Sequence, residues 1–431
     1  ANTLALGHSG CRPEIIERLL ELLRLRIHPV VPSQGSVGAS GDLAPLAHLA
    51  LPVIGQGQVE VEGTVMPARQ ALMTAGLEPL VLEPKEGLAL LNGTQMMAAI
   101  GALVLAGADR LARTASVAAA ISVEALRGTV VAYSAAVQHT RPHPGQVRTA
   151  AELRWLLRES TIQTAHHGDD HRVQDPYSLR CAPQVHGAAR DALDNLRRVL
   201  DIELNSATDN PLVFPEGGVA PEDTLATGRG LVISGGNFHG EPIALALDYA
   251  KLALAELGAI SERRVALLLD PRLNDGLPAF LGASSGLESG LMILQYTAAA
   301  LASESKTLAH PASADSIPTS ANQEAHVSMG SIAARTAMRV LEHTERIVAI
   351  ELICASQGLD LRLDLQPETA PGSGVADAHE RVRSVIARLE QDREPGPDIE
   401  AAFRLVHDGA LVDLADAPAG ADTSWLGHDP R

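Results

Sequence analysis

The chain has 431 residues, of which 46% are hydrophobic and only 2% aromatic, and it carries a formal net charge of −18. That charge argues against a nucleic-acid or anionic-membrane partner, because both demand a basic surface, and no Lys/Arg run supplies a local one. A core made almost wholly of Ala, Leu, Val and Ile suits closely packed long helices better than stacked strands, and the length allows one large core or two to three smaller ones.

From the start, Pro13 to Ile27 carries an apolar stripe at helical spacing and predicts an amphipathic helix. A Gly-rich loop and a short helix from Asp42 to Leu51 follow, with Asp42 as N-cap. The alternating Val59 to Val65 then reads as a small hairpin. From Gly87 onward, Ala/Leu-rich helical segments are expected at 87–139, 146–159, 182–202, 239–270, 286–309 and 323–357. Leu88 to Ala108 is uncharged and long enough to span a membrane. Asn92, Thr94 and Gln95 lie within it and similar stretches recur at 116–122 and 291–302, so a buried bundle helix is the better reading. Pro211–Phe214 and Gly230–Ser234 read as paired short strands, 366–375 as a linker, and 376–410 as polar helix. The expected domains are a reactive region at 1–86, a central long-helix bundle at 87–365 and a C-terminal helical segment at 366–431. Cys11, Cys181 and Cys354 lie far apart without a C-x-x-C, which fits a reduced cytoplasmic compartment and no zinc site.

The chemistry gathers at the breaks between helices. Gly35 to Leu46 (GSVGASGDLAPL) sets glycines on both sides of Ala39-Ser40, permitting backbone geometries that a Cβ would block. Close approach of the Gly41 nitrogen to the Ala39 carbonyl is one of them. Ring closure with loss of water there would turn Ser40 into an alkene conjugated to an imidazolone. A nucleophile elbow is excluded by Asp42 in place of its last glycine, and a P-loop by the absence of lysine. A plain flexible loop leading into a helix is the remaining alternative.

Asn92, in Leu91-Asn92-Gly93-Thr94-Gln95, is either a helix cap or a buried amide that must find partners. Gln174 to Cys181 (QDPYSLRC) places an amide, a phenol and a guanidinium together. Arg180 there either clamps a carboxylate bidentately or pairs with Asp175. Phe238 is one of only four phenylalanines and follows Gly235-Gly236-Asn237, while His239 reads as a structural hydrogen-bonder. Thr319 to Met329 (TSANQEAHVSM) carries Glu324, either a capping-box carboxylate or a functional one. His166 to His171 (HHGDDH) is crowded in one loop without a distant partner, so no metal site is assigned.

These runs, in this order, closely resemble the motifs of the histidine and aromatic amino acid ammonia-lyases, from the Gly7-His8-Ser9-Gly10 region to the Gln357-Gly358-Leu359-Asp360 region. The resemblance implies a mainly α fold of the fumarase/aspartase-like type, a long-helix bundle with a small α+β N-terminal region. It implies that Ala39, Ser40 and Gly41 become a 4-methylideneimidazol-5-one (MIO) group, with no external cofactor. It gives Asn92 contact with the MIO and the substrate amino group, places Gln174, Tyr177 and Arg180 along the pocket with Arg180 on the α-carboxylate, and sets Phe238 beside the MIO. Glu324 matches the position that separates substrates, a carboxylate suiting an imidazole N–H; Ala325 stands where an acidic residue is expected. The implied reaction is elimination of ammonia from L-histidine to urocanate, the first step of histidine degradation, in a homotetramer with shared active sites. A phenylalanine/tyrosine ammonia-lyase or aminomutase with the same MIO is the neighbouring alternative, and an inactive helical scaffold the alternative of another class.

In the family, the general base is a Tyr on an N-terminal Y-G-x-N-T-G-F-G loop, followed by a substrate-binding His. Neither motif occurs here, and Ala1 to Gly7 resembles a point inside the family's first domain, so the chain is expected to lack the family's N-terminal segment. Of its tyrosines (Tyr133, Tyr177, Tyr249, Tyr296), Tyr177 is the catalytic candidate.

Overall fold

A computed structural model describes residues 1–38, 41–165, 172–216, 230–283 and 286–417. Apart from single turns, the elements in order are α1 (Pro13–Arg24), β1 (His28–Pro29), α2 (Leu43–Ala50), β2 (Gln58–Val61), β3 (Thr64–Pro67), α3 (Ala68–Thr74), α4 (Glu86–Leu91) and α5 (Gln95–Ala125). They continue with α6 (Pro144–Leu156), α7 (Ala182–Glu203), β4 (Leu212–Phe214), β5 (Leu231–Ile233), α8 (Glu241–Leu269), α9 (Met292–Leu308), α10 (Gly330–Leu365), α11 (Ser373–Arg383) and α12 (Gly396–His407). The fold is mainly α, as the composition predicts.

The chain forms two compact units. The first comprises 1–103, 196–249 and 311–336; the second comprises 104–195, 250–310 and 337–431. The first holds both sheets, the antiparallel β1-β2-β3 and the β4-β5 hairpin in which Val213 opposes Val232. Its apolar core gathers Ile15, Leu22, Ile27, Val53, Val59 and Leu72. In the second unit, Leu111, Ile121, Leu257, Val265, Ile347 and Leu352 are fully buried. There α6 and α7 approach closely because both contact positions are glycine. A Cβ on Gly145 would stand 2.2 Å from the Gly187 carbonyl oxygen.

Several expected boundaries move, each for a local reason. The 87–139 segment is not one helix. Gly93 (φ +135°) separates α4 from α5, and α5 stops at Ala125 before Arg127 enters the left-handed region. The 286–309 segment becomes helical only at Met292, after Gly286 and Gly290 at positive φ. The 323–357 segment starts at Gly330, because Ser320, Ala321, Asn322 and Met329 all have positive φ, and runs on to Leu365. The 366–375 stretch is not a free tether: α11 begins within it, and the Gly372 amide donates to Glu124 at 3.0 Å. α5 is long and apolar enough to cross a membrane, yet Ala115 and Val117 to Ile121 on it are fully buried in protein.

One buried ion pair of the second unit is fully enclosed. Glu351 accepts from Ser122 (2.7 Å), Ser261 (2.6 Å) and the Arg264 guanidinium (2.5 and 2.9 Å), and neither charged side chain reaches solvent. Removing one partner strands the other charge. Arg264→Met is therefore expected to lower unfolding stability by about 3–5 kcal/mol. Arg264→Met with Glu351→Leu should lose markedly less, as read by denaturant titration.

Candidate active site

Ala39 and Ser40 lie outside the described residues, but the backbone on either side of them is firmly held in the first unit. Met329 N donates to Val37 O at 2.8 Å and the Ser331 hydroxyl donates to Ser36 O at 2.9 Å. Gly38 has φ +72°, and a Cβ there would stand 2.2 Å from Ser328 Oγ. On the other side, Gly41 (φ +73°) pairs in parallel with Gly93, and the Asp42 amide donates to Gly93 O at 2.6 Å. A Cβ on Gly41 would fall 2.0 Å from that same oxygen, so only glycine fits.

Asp42 does stand at the N-terminus of α2, but its carboxylate makes no cap there. Instead Oδ2 accepts from the Met97 amide of α5 at 2.9 Å, satisfying a first-turn N–H of a different helix. Burial pushes the Asp42 carboxyl up to about 7, against the lowering effect of amide donation from Met97 and Met96. Its Oδ1 has no partner.

Asn92 is almost wholly buried in the break between α4 and α5. Its NH2 donates to Asp209 Oδ1 (3.2 Å) and Asn210 O (2.9 Å), while Oδ1 has no partner. Asp209 also pairs with Lys85 Nζ at 2.8 Å. Asn210 Oδ1 accepts from Gly235 N at 2.7 Å, tying this network to the turn that carries half-buried Phe238. An N–H donor brought against Asn92 would meet a free acceptor.

His239 follows Phe238 and acts as the expected structural hydrogen-bonder. Its Nδ1 accepts from Glu241 N (3.3 Å) and Nε2 donates to His326 O (3.2 Å), which fixes the Nε2–H tautomer. The His239 and His326 rings stack at 5.8 Å. Glu324 is not a capping-box residue, since no helix begins there. It pairs through backbone with Thr319, whose hydroxyl donates to its Oε2. So Gly41, Asn92, Phe238 and Glu324 all belong to one unit, with Gly41 and Asn92 joined through Gly93.

Gln174, Tyr177 and Arg180 belong to the second unit. Arg180 does not pair with the Asp175 carboxylate, which instead accepts from Thr129 N at 2.7 Å. Its Nε donates to Asp175 O (2.9 Å), one NH2 donates to Gln174 Oε1 (2.8 Å), and its guanidinium lies 4.6 Å over the Tyr177 ring. No carboxylate among the described residues pairs with Arg180. Tyr177 is 70% exposed and borders an open cleft of about 760 Å³ with Arg263, Leu273 and Phe280. Tyr133 is unfit as a base: it is fully buried, burial pushes its phenol up, and its hydroxyl donates to Leu179 O at 2.8 Å.

Asp209, Lys85 and Ser328 escape a sequence reading. The one signal for Asp209 is an acid directly before Asn-Pro, easily taken for a strand entry. The 166–171 cluster lies outside the described residues; among those described, no group of acidic, His or Cys side chains is arranged to hold a metal.

The residues around Gly41 suit an imidazolone formed in the chain: a backbone crossing that a Cβ would block, and two buried acceptor oxygens without partners. The family model for aromatic amino acid lyases matches residues 1–384. A histidine ammonia-lyase of Deinococcus radiodurans is 52% identical over 436 residues, covering 100% of this chain and 80% of that protein. The crystal structure of histidine ammonia-lyase from Trypanosoma cruzi aligns with TM-score 0.85 at 44% identity, over 96% of this chain and 75% of that one. A tyrosine aminomutase from Streptomyces globisporus aligns at TM-score 0.85 and 38% identity, over 96% and 78%.

Because the folded state holds the Asp42 proton up to about 7 while the unfolded chain releases it near 3.8, this group stabilises the fold fully below pH 4. Its contribution should fall as pH rises from 4 to 7, by up to about 4 kcal/mol, and then level off. Denaturant midpoints of the parent and Asp42→Asn across pH 4–8 should differ in slope through that window and run parallel above it.

Proposed function

The chain belongs to the aromatic amino acid lyase family, and from that premise we propose that it is a carbon-nitrogen lyase eliminating ammonia from L-histidine to give urocanate. The observation that carries this reading is the pairing of roughly 50% identity to histidine ammonia-lyases over nearly the whole chain with a carboxylate, Glu324, at the substrate-separating position. An imidazole N–H satisfies that carboxylate. A phenyl ring offers that carboxylate no donor.

The proposed prosthetic group is MIO formed from Ala39, Ser40 and Gly41; it supplies an electrophilic alkene that takes up the substrate amine and makes it a better leaving group. Asn92 Oδ1 accepts an amine N–H. Arg180, oriented by Gln174 and by the Tyr177 ring, clamps the α-carboxylate with two parallel N–H donors. Phe238 supplies an apolar wall beside Gly41. Glu324 positions the imidazole or handles the amine proton, and the Tyr177 hydroxyl is the proposed participant in β-proton removal. Exposure of Tyr177 and Gln174 supports a homotetramer whose pockets take residues from several copies. A cytoplasmic location agrees with three unpaired cysteines.

Two measurements test this. Intact mass is expected to fall short of the sequence mass by two waters, and histidine, but neither phenylalanine nor tyrosine, should yield a product absorbing in the near ultraviolet. A full, unmodified mass would remove the proposed chemistry. Glu324→Gln is expected to lower kcat/KM for histidine by about 100-fold or more. Arg180→Lys should raise KM by about tenfold or more, a point charge replacing a fork.

A further inference from the structure

We infer that Asp209, anchored by Lys85, is a positioning residue that fixes which way the Asn92 amide faces. The inference rests on the reading above, in which Asn92 meets the substrate amine with its oxygen. The two ends of a carboxamide are nearly the same size, so packing alone does not choose between them. Here hydrogen bonding chooses. On one side of Asn92 stand Asp209 Oδ1 (3.2 Å) and Asn210 O (2.9 Å), and neither can donate. Only the NH2 satisfies both, and the carbonyl oxygen is left on the opposite side, buried and open to a donor.

Asp209 is itself over-determined. Lys85 Nζ holds Oδ2 at 2.8 Å, and the Asn210 amide holds Oδ1 at 2.6 Å. Lys85 is the counter-charge to a carboxylate whose side chain is only 1% exposed, and removing it would leave that charge buried alone. Turned the other way, Asn92 would present two N–H donors to a substrate amine, which repels a protonated amine and leaves a neutral one without its acceptor. The Asn210 side chain, bonded to Gly235 N at 2.7 Å, extends the same framework to the Phe238 turn.

Asp209→Asn breaks the choice, because an amide at 209 can donate as well as accept. The expected result is a fall in kcat for histidine of about 100-fold, with KM within about threefold of the parent and the two-water mass deficit retained. Asp209→Glu, still acceptor-only, should recover much of the loss. A neutron crystal structure of deuterium-exchanged Asp209→Asn, which tells an amide oxygen from a deuterated amide nitrogen, should show Asn92 Oδ1 turned toward position 209. Parental kcat in Asp209→Asn, equal impairment of Asp209→Glu, or an unturned amide would overturn the inference. Should Asp209→Asn fail to fold, Lys85→Met carries the test: about a tenfold loss in kcat is expected, and an unchanged kcat counts against it. A parent that turns over no histidine sinks the proposed function instead, while the amide orientation in neutron structures of parent and variant still decides this point.

Discussion

Two stretches of backbone cross at Gly41 and Gly93 closer than any side chain permits, and the geometry of the site hangs from that crossing. The Asp42 amide hydrogen-bonds across it at 2.6 Å, and a Cβ on Gly41 would sit 2.0 Å from the Gly93 oxygen. Because Gly93 is also the break between α4 and α5, the crossing places Asn92 next to the Gly41-Asp42 backbone and turns the first N–H groups of α5 toward Asp42. Asp42 then uses its carboxylate on those groups, so a loop far away in sequence caps a thirty-one-residue helix. Loop geometry, helix start and buried amide are one device.

Buried polar groups in this protein fall into two kinds. Around Glu351, the carboxylate oxygens both find donors, and the network has no spare capacity. Around Gly41, Asn92 Oδ1 and Asp42 Oδ1 are left without partners, although an unmet buried acceptor costs about 1–3 kcal/mol. A closed network holds a fold together. An open one, as at Asn92 Oδ1 and Asp42 Oδ1, holds hydrogen-bonding capacity in reserve.

Much of this was legible in the sequence, and the parts that were not have physical reasons. The helical class follows from the Ala/Leu composition, and the β2-β3 and β4-β5 pairs from alternation and turn residues. The breaks inside helical patterns are harder: Asn92-Gly93 reads as opening or interrupting an apolar run whose composition continues unchanged, and φ +135° at Gly93 settles that it separates two helices. Met329 at φ +53° delays α10 in a stretch whose pattern already looked helical. Asp42 reads as the cap of the helix it precedes, but its carboxylate serves a different helix, which is a tertiary fact. For Arg180, its spacing from Asp175 left an ion pair open, and the answer came from Thr129, some forty-six residues away, taking that carboxylate. Lys85 and Asp209 are invisible for the same reason, being 124 positions apart.

Among the described residues the one tryptophan is Trp155 of the second unit, half-buried beneath the Arg158 guanidinium at 3.6 Å. Emission from Trp155 therefore reports on that unit. The loops around Gly41, Asn92 and Glu324 are optically silent, and an added fluorophore or a backbone probe such as circular dichroism is needed to follow their ordering.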